Sequence, residues 1–144
     1  MVQTAFTQQS ASLHSTYYLV QTLIYRLFIP SPISSPDLSR DFPFPAREIC
    51  IHATKACAAI VAREMQSELC YVPLVTHTSQ VCAGLLLMDI WNLKAQEKAV
   101  ASDQVEDTKP SLAQEIKDLT GDVFFFMRAL EWAEPRWGDA ARAL

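Results

Sequence analysis

The chain has 144 residues, with 12 Lys and Arg against 16 Asp and Glu, a net charge of −4 and a pI near 5.3. Half the residues are hydrophobic and only 19% are charged, which excludes wholesale disorder and fits one domain with a real core. The acidic balance argues against a nucleic-acid surface, because phosphate binding needs clustered Lys and Arg. Glycine narrows the class further: Gly84, Gly121 and Gly138 stand alone where about ten would be usual. A phosphate loop or a G-x-G-x-x-G turn cannot be built from them, so an all-helical chain is expected.

Residues 1–11 are polar and are expected to be disordered. The first helix is expected from about Ser12 to Phe28, with Leu13, Tyr17, Val20, Ile24 and Leu27 as its inward stripe. Pro30 stops it. Five of the eight prolines lie between Pro30 and Pro45, so a proline-rich loop separates helices one and two. The second helix is expected from Ala46 to Ser67, with Ile49, Ala53, Ala56 or Cys57, and Ile60 on one face, and Glu64 where the stripe runs out. Pro73 belongs to a short connection. The third helix is expected from Thr76 or Thr78 to about Val100. Its first half, Val81 to Met88, is apolar all round and reads as the most buried helix. Residues 101–110 form an acidic loop. Ser111 with Gln114 has the form of a capping box and opens a fourth helix. Leu112, Ile116, Leu119, Val123, Phe126 or Met127, and Leu130 face inward there. Pro135 ends it, and a short tail helix follows from Trp137 to Ala143. The fold expected is an irregular bundle of four main helices plus that short C-terminal helix, in a single segment 1–144.

No constellation announces a reaction. Cys50, Cys57, Cys70 and Cys82 form no C-x-x-C pair, so they read as buried, reduced thiols. That favours a reducing compartment. His14, His52 and His77 offer no pair at metal-binding spacing. Glu48 and His52, at i and i+4, read as a solvated pair. Asp89 sits between Met88 and Ile90 on a helix expected to be buried, so it needs a cationic partner; Arg26 and Arg128 are the candidates. Phe124, Phe125 and Phe126 are consecutive and cannot all face one core. They pack against the tail helix or the proline loop, or one of them marks a contact site. No catalytic, cofactor or metal residue is expected. The first ten residues carry no Lys or Arg, so no signal-peptide n-region is read. No apolar run approaches the length needed to span a bilayer.

Four segments together resemble a known family. They are Leu13-His14 with Tyr17-Tyr18, Gln21, Ile24-Tyr25-Arg26 and Phe28-Ile29; the Ala- and Cys-rich stretch Ile49 to Val61; Gly84 to Trp91; and Leu130-Glu131 with Pro135-Arg136-Trp137, Ala140 and Arg142. In order and spacing they resemble the C-terminal half of the regulatory, middle homology domain of fungal zinc binuclear-cluster transcription factors, over residues 12–142. Leu27 stands where that family usually has proline. The family's zinc cluster and its basic residues have no counterpart here, so no zinc or DNA-binding residue is carried over.

The resemblance implies a nuclear, non-enzymatic regulatory segment that works through helix packing. Its expected partners are other helices of a longer regulatory domain or a partner protein, with self-association as a further route and no direct nucleic-acid or membrane contact. Alone, such a chain is expected to self-associate or stay loosely packed. The alternative is a small helical ligand-binding or scaffold protein with an apolar pocket under the proline loop.

Overall fold

A computed structural model describes residues 2–29, 44–67, 70–102 and 109–142. These form four helices: α1 (Val2–Tyr25), α2 (Ala46–Gln66), α3 (Val72–Ser102) and α4 (Lys109–Arg142), with a 3₁₀ turn at Arg26–Phe28 after α1. No strand occurs among the described residues, so the chain is all-α. The proline-rich segment 30–43, the acidic residues 103–108 and the tail residues 143–144 lie outside the described residues.

Successive helices run antiparallel. Cys50 meets Thr22, Arg47 meets Asp89, and Pro73 near the start of α3 shares a groove with Trp137 near the end of α4. The tightest pairings are α1 with α2 and α3 with α4, and α2 and α3 join the two hairpins. Among the described residues α1 and α4 do not touch. In cross-section the helices therefore form a rhombus, with α2 and α3 on the short diagonal and α1 and α4 at the far corners.

The core follows from that geometry. Cys57 and Val61 of α2, Val75, Cys82 and Leu86 of α3, and Phe126 and Ala129 of α4 are buried in one cluster. Ala11, Ile60 and Leu74 form a satellite beside it. The satellite explains why α1 starts at Val2 and not near Ser12. Residues 2–11 contain no Gly or Pro and several Ala and Gln, which are good helix formers, and Ala11 is fixed against α2 and α3. The expected helix start near Ser12 is therefore corrected to Val2.

The inward stripe expected for α1 is inverted. Leu13, Tyr17, Val20, Ile24 and Leu27 all face solvent, and the face against the bundle carries Ala11, Ser15, Leu19 and Thr22. Small and hydroxyl side chains let α1 approach closely. Ser15 Oγ and Thr78 Oγ1 share a hydrogen bond of 2.7 Å across α1 and α3, and Thr22 Oγ1 donates to the Tyr18 carbonyl at 2.8 Å. These bonds satisfy polar groups that burial would otherwise leave costly. The helix gives way to the 3₁₀ turn, and Ile29 is extended at φ −79°, ψ 121°, the conformation that a following proline imposes. Phe44 stacks edge-on against Tyr25 at 5.6 Å and Phe28 at 5.3 Å. Both ends of the proline-rich segment are thereby clasped together.

Two prolines sit differently from expectation. Pro73 lies in the first turn of α3, where its missing N–H would have had no partner anyway. Pro135 lies inside α4, which continues to Arg142, so the expected helix end and separate tail helix are corrected to one long helix. Proline inside a helix costs about 3 kcal/mol and frees carbonyls in the preceding turn. The carbonyl left without its helical donor is that of Glu131, which is exposed to water. Arg136 adds a local brace beside it: its guanidinium donates to the Trp132 carbonyl at 2.7 Å and lies 3.8 Å over the Trp132 ring. The Ser111–Gln114 capping box is also absent. α4 begins at Lys109, and Gln114 instead donates to Asp118 Oδ1 at 2.8 Å.

The three phenylalanines separate as helix geometry requires. Phe126 is fully buried, Phe125 packs edge-on beside it at 5.3 Å, and Phe124 is 57% exposed. Phe126→Ala should lower the unfolding free energy by about 3–5 kcal/mol. Phe124→Ala should change it by less than about 0.5 kcal/mol. Urea unfolding of the two variants checks this, and equal losses would contradict the assignment.

Candidate interaction surface

The polar centre of the bundle is Arg47, in the first turn of α2. Its Nε donates to Asp89 Oδ1 at 2.9 Å and its Nη2 to Asp89 Oδ2 at 2.8 Å, a two-pronged grip on one carboxylate. Its Nη1 lies 2.8 Å from Glu115 Oε1. One guanidinium thus links α2, α3 and α4, using the planar fork that suits carboxylates. The hydrogen bond to Asp89 raises the Arg47 pKa further, against the opposing effect of burial. Asp89 does need a partner, but it is Arg47 and neither Arg26 nor Arg128. The i, i+4 logic of one helix could not point to it, because the residues are 42 positions apart.

The group is structural in its surroundings. Beside it lie Ile29, Cys50, Thr54 and Leu86, around a space of only about 30 Å³, enough for about one water. That is the cavity nearest the start of the proline-rich segment. The pocket expected beneath the loop itself lies outside the described residues.

The cysteines are free thiols, with Cys50, Cys57 and Cys82 buried and Cys70 half-buried. Cys57 of α2 and Cys82 of α3 are fully buried in the same cluster. Their mutual interaction pulls the Cys57 pKa down and, with burial, holds the Cys82 thiol up. Burial first, and then the Asp89 charge, push the Cys50 thiol up to about 11. His14 is exposed and its Nδ1–H donates to the Ser10 carbonyl at 2.8 Å. Glu48 and His52 are exposed. Glu64, expected where its stripe runs out, is buried with Oε2 lacking a partner, as is Ser79 Oγ. Among the described residues no group of three His, Cys, Asp or Glu could hold a metal ion, and no helix is long and apolar enough to cross a membrane.

Two surfaces are unusual. The first is a groove of about 810 Å³ between α3 and α4. Its α3 wall carries Thr76, His77 and Gln80, its α4 wall Met127, Leu130 and Trp137, and Glu131 and Glu134 line its edge. An apolar floor with an acidic edge suits an apolar segment flanked by basic residues. Gly84, Leu87, Met88 and Trp91 continue the exposed side of α3. The helix expected to be buried all round is therefore covered on one side only. The second surface is the outer face of α1. Neither is visible in sequence periodicity, which finds an apolar stripe but not the side of the bundle it faces.

Compared with protein-family models, curated proteins and solved structures, the chain gives no match.

Arg47→Ala would leave Asp89 nearly buried and unpaired, and should cost about 2–3 kcal/mol of stability. Glu115→Ala should cost less than about 1 kcal/mol, because Glu115 is the more exposed partner. Equilibrium unfolding of both variants measures the difference, and a larger loss for Glu115→Ala would refute the hierarchy. The raised Cys50 pKa sets a pH dependence. The folded chain holds this thiol neutral and the unfolded chain ionises it earlier. The stability it contributes is therefore full below about pH 9 and is lost as the pH climbs towards 11. Cys50→Ala should flatten the decline of unfolding free energy across that window, measured by urea titration. An unchanged slope would exclude Cys50 as its source.

Proposed function

We propose that this chain is a regulatory protein-contact segment, the role implied by its resemblance to the middle homology domain of fungal zinc-cluster transcription factors. It works by presenting helix faces to other protein, in the nucleus, and leaves DNA contact to a module elsewhere. The observation that carries this reading is the groove between α3 and α4. Met127, Leu130 and Trp137 offer an apolar bed there that nothing in the described chain covers. Exposed apolar surface of this kind marks contact sites in proteins that otherwise bury such residues. The acidic edge at Glu131 and Glu134 favours a helix with basic flanks over an acidic one.

A second reading draws on the same groove. Its volume falls in the range of small-molecule sites, so an apolar ligand is the alternative occupant, in a ligand-binding or scaffold protein. The two differ in openness: the groove lies between two helix flanks and has no lid among the described residues.

The test is a tethered reporter. Fused to an unrelated DNA-binding and activating module, the chain should change reporter output severalfold. Met127→Glu combined with Trp137→Ala should restore the output of the module alone. Both positions are exposed, so the fold should persist by circular dichroism. No effect of the unaltered chain would refute the reading.

A further inference from the structure

The outer face of α1 is the strangest feature of the molecule. Phe6, Leu13, Tyr17, Val20, Ile24 and Leu27 follow one another at steps of seven, four, three, four and three. That is the spacing of a coiled-coil seam, with Ser10 at the one position the series skips. Phe6 and Leu27 are each 74% exposed, Leu13 72% and Tyr17 62%. At about 100° per residue the stripe lies opposite Ala11, Ser15, Leu19 and Thr22, the residues that α1 buries. The larger apolar side chains thus point away from the bundle, and the smaller and more polar ones point into it. α1 stands at a far corner of the rhombus, so no described helix can reach this face.

We propose that the occupant of this face is a second copy of the same chain, related by a two-fold axis that pairs α1 with α1. Two observations select a copy over a different partner. From Val2 to Tyr25 the helix carries no Asp, Glu, Lys or Arg. The one charge beside the stripe is the exposed Arg26 next to Leu27 at its far end; along α1 itself two copies meet without like-charge repulsion, and no charge is present to recruit an oppositely charged partner. The patch is also broad: with Leu23, seven large apolar side chains stand exposed on or beside this face, and a contiguous apolar patch of that kind marks a contact site. A two-fold contact buries the same patch on both chains and closes, so assembly stops at the dimer. The α3–α4 groove, with its acidic edge, lies away from this contact and stays free. The inference rests on reading the chain as a protein-contact segment and names one of its partners.

Sedimentation equilibrium of the full chain under reducing conditions tests it. The mass should be twice the protomer's 16.2 kDa. Leu13→Glu with Val20→Glu should return it to the protomer mass with helical circular dichroism unchanged, and Phe124→Glu on α4 should leave the dimer intact. A chain that stays monomeric up to about 10⁻⁴ M, an assembly larger than a dimer, or a dimer broken only by Phe124→Glu would overturn the proposal. If the double variant loses helicity, Tyr17→Cys decides. Tyr17 lies near the middle of the stripe and meets its own copy in either helix orientation. It should cross-link under mild oxidation above the background of the unaltered chain, and failure to do so would overturn the pairing. A monomer that still alters the tethered reporter removes the dimer and keeps the contact-segment reading. A dimer with no reporter effect does the reverse.

Discussion

The register of α2, α3 and α4 depends on Arg47. Hydrophobic contacts among Cys57, Val61, Leu86 and Phe126 are non-directional and would tolerate sliding of one helix along another. A planar guanidinium held two-pronged by Asp89 and touched by Glu115 does not. It fixes α2, α3 and α4 at one level, and the packed residues on either side fall into place from there. Replacing such a group with apolar residues can leave stability unchanged. Its contribution here is therefore to specify one arrangement among several compact ones.

With that level set, the remaining contacts form two hairpins joined through their inner helices. Cys57 of α2 and Cys82 of α3 lie together in the buried cluster that both helices share. Small residues dominate the buried side of α1, and Ala129 and Ala133 extend the buried face of α4 beyond Phe126. Such residues permit close approach but bury little area. The larger apolar side chains, Leu13, Tyr17 and Leu27 on α1, Leu87, Met88 and Trp91 on α3, and Phe124 and Trp137 on α4, are left outside. The bundle leaves this apolar material exposed among the described residues.

This division bears on function more than any single titratable group does. Among the interior polar groups, the Ser15–Thr78 bond and the Arg47 group hold helices together, whereas Glu64 Oε2 and Ser79 Oγ have no partner. The uncovered surfaces differ in character. One is an apolar stripe along the uncharged helix α1, and the other is a groove with an acidic edge.

The helical class was legible from scarce glycine, from apolar residues at three- and four-residue spacing, and from proline between the first two helices. The extent of α2 and the buried positions Leu119, Val123 and Phe126 of α4 were legible too, because on those helices the most apolar face is the buried one. On α1 the same rule failed. Periodicity shows that Leu13, Tyr17, Val20 and Ile24 share a face, but it carries no information about which side of the helix the chain covers. Proline was misread for a related reason. Its cost inside a helix is local, whereas the exposure of Glu131 and of residues 134–137, which lets water take up the freed carbonyl, is decided by packing. The partner of Asp89 was beyond reach of spacing, since Arg47 comes to it only when α2 and α3 are already packed. Local sequence determined where helices form and which residues share a face. Tertiary structure alone decided which face turned inward, because burial is a property of neighbours and a helix at the corner of a rhombus has them on one side only.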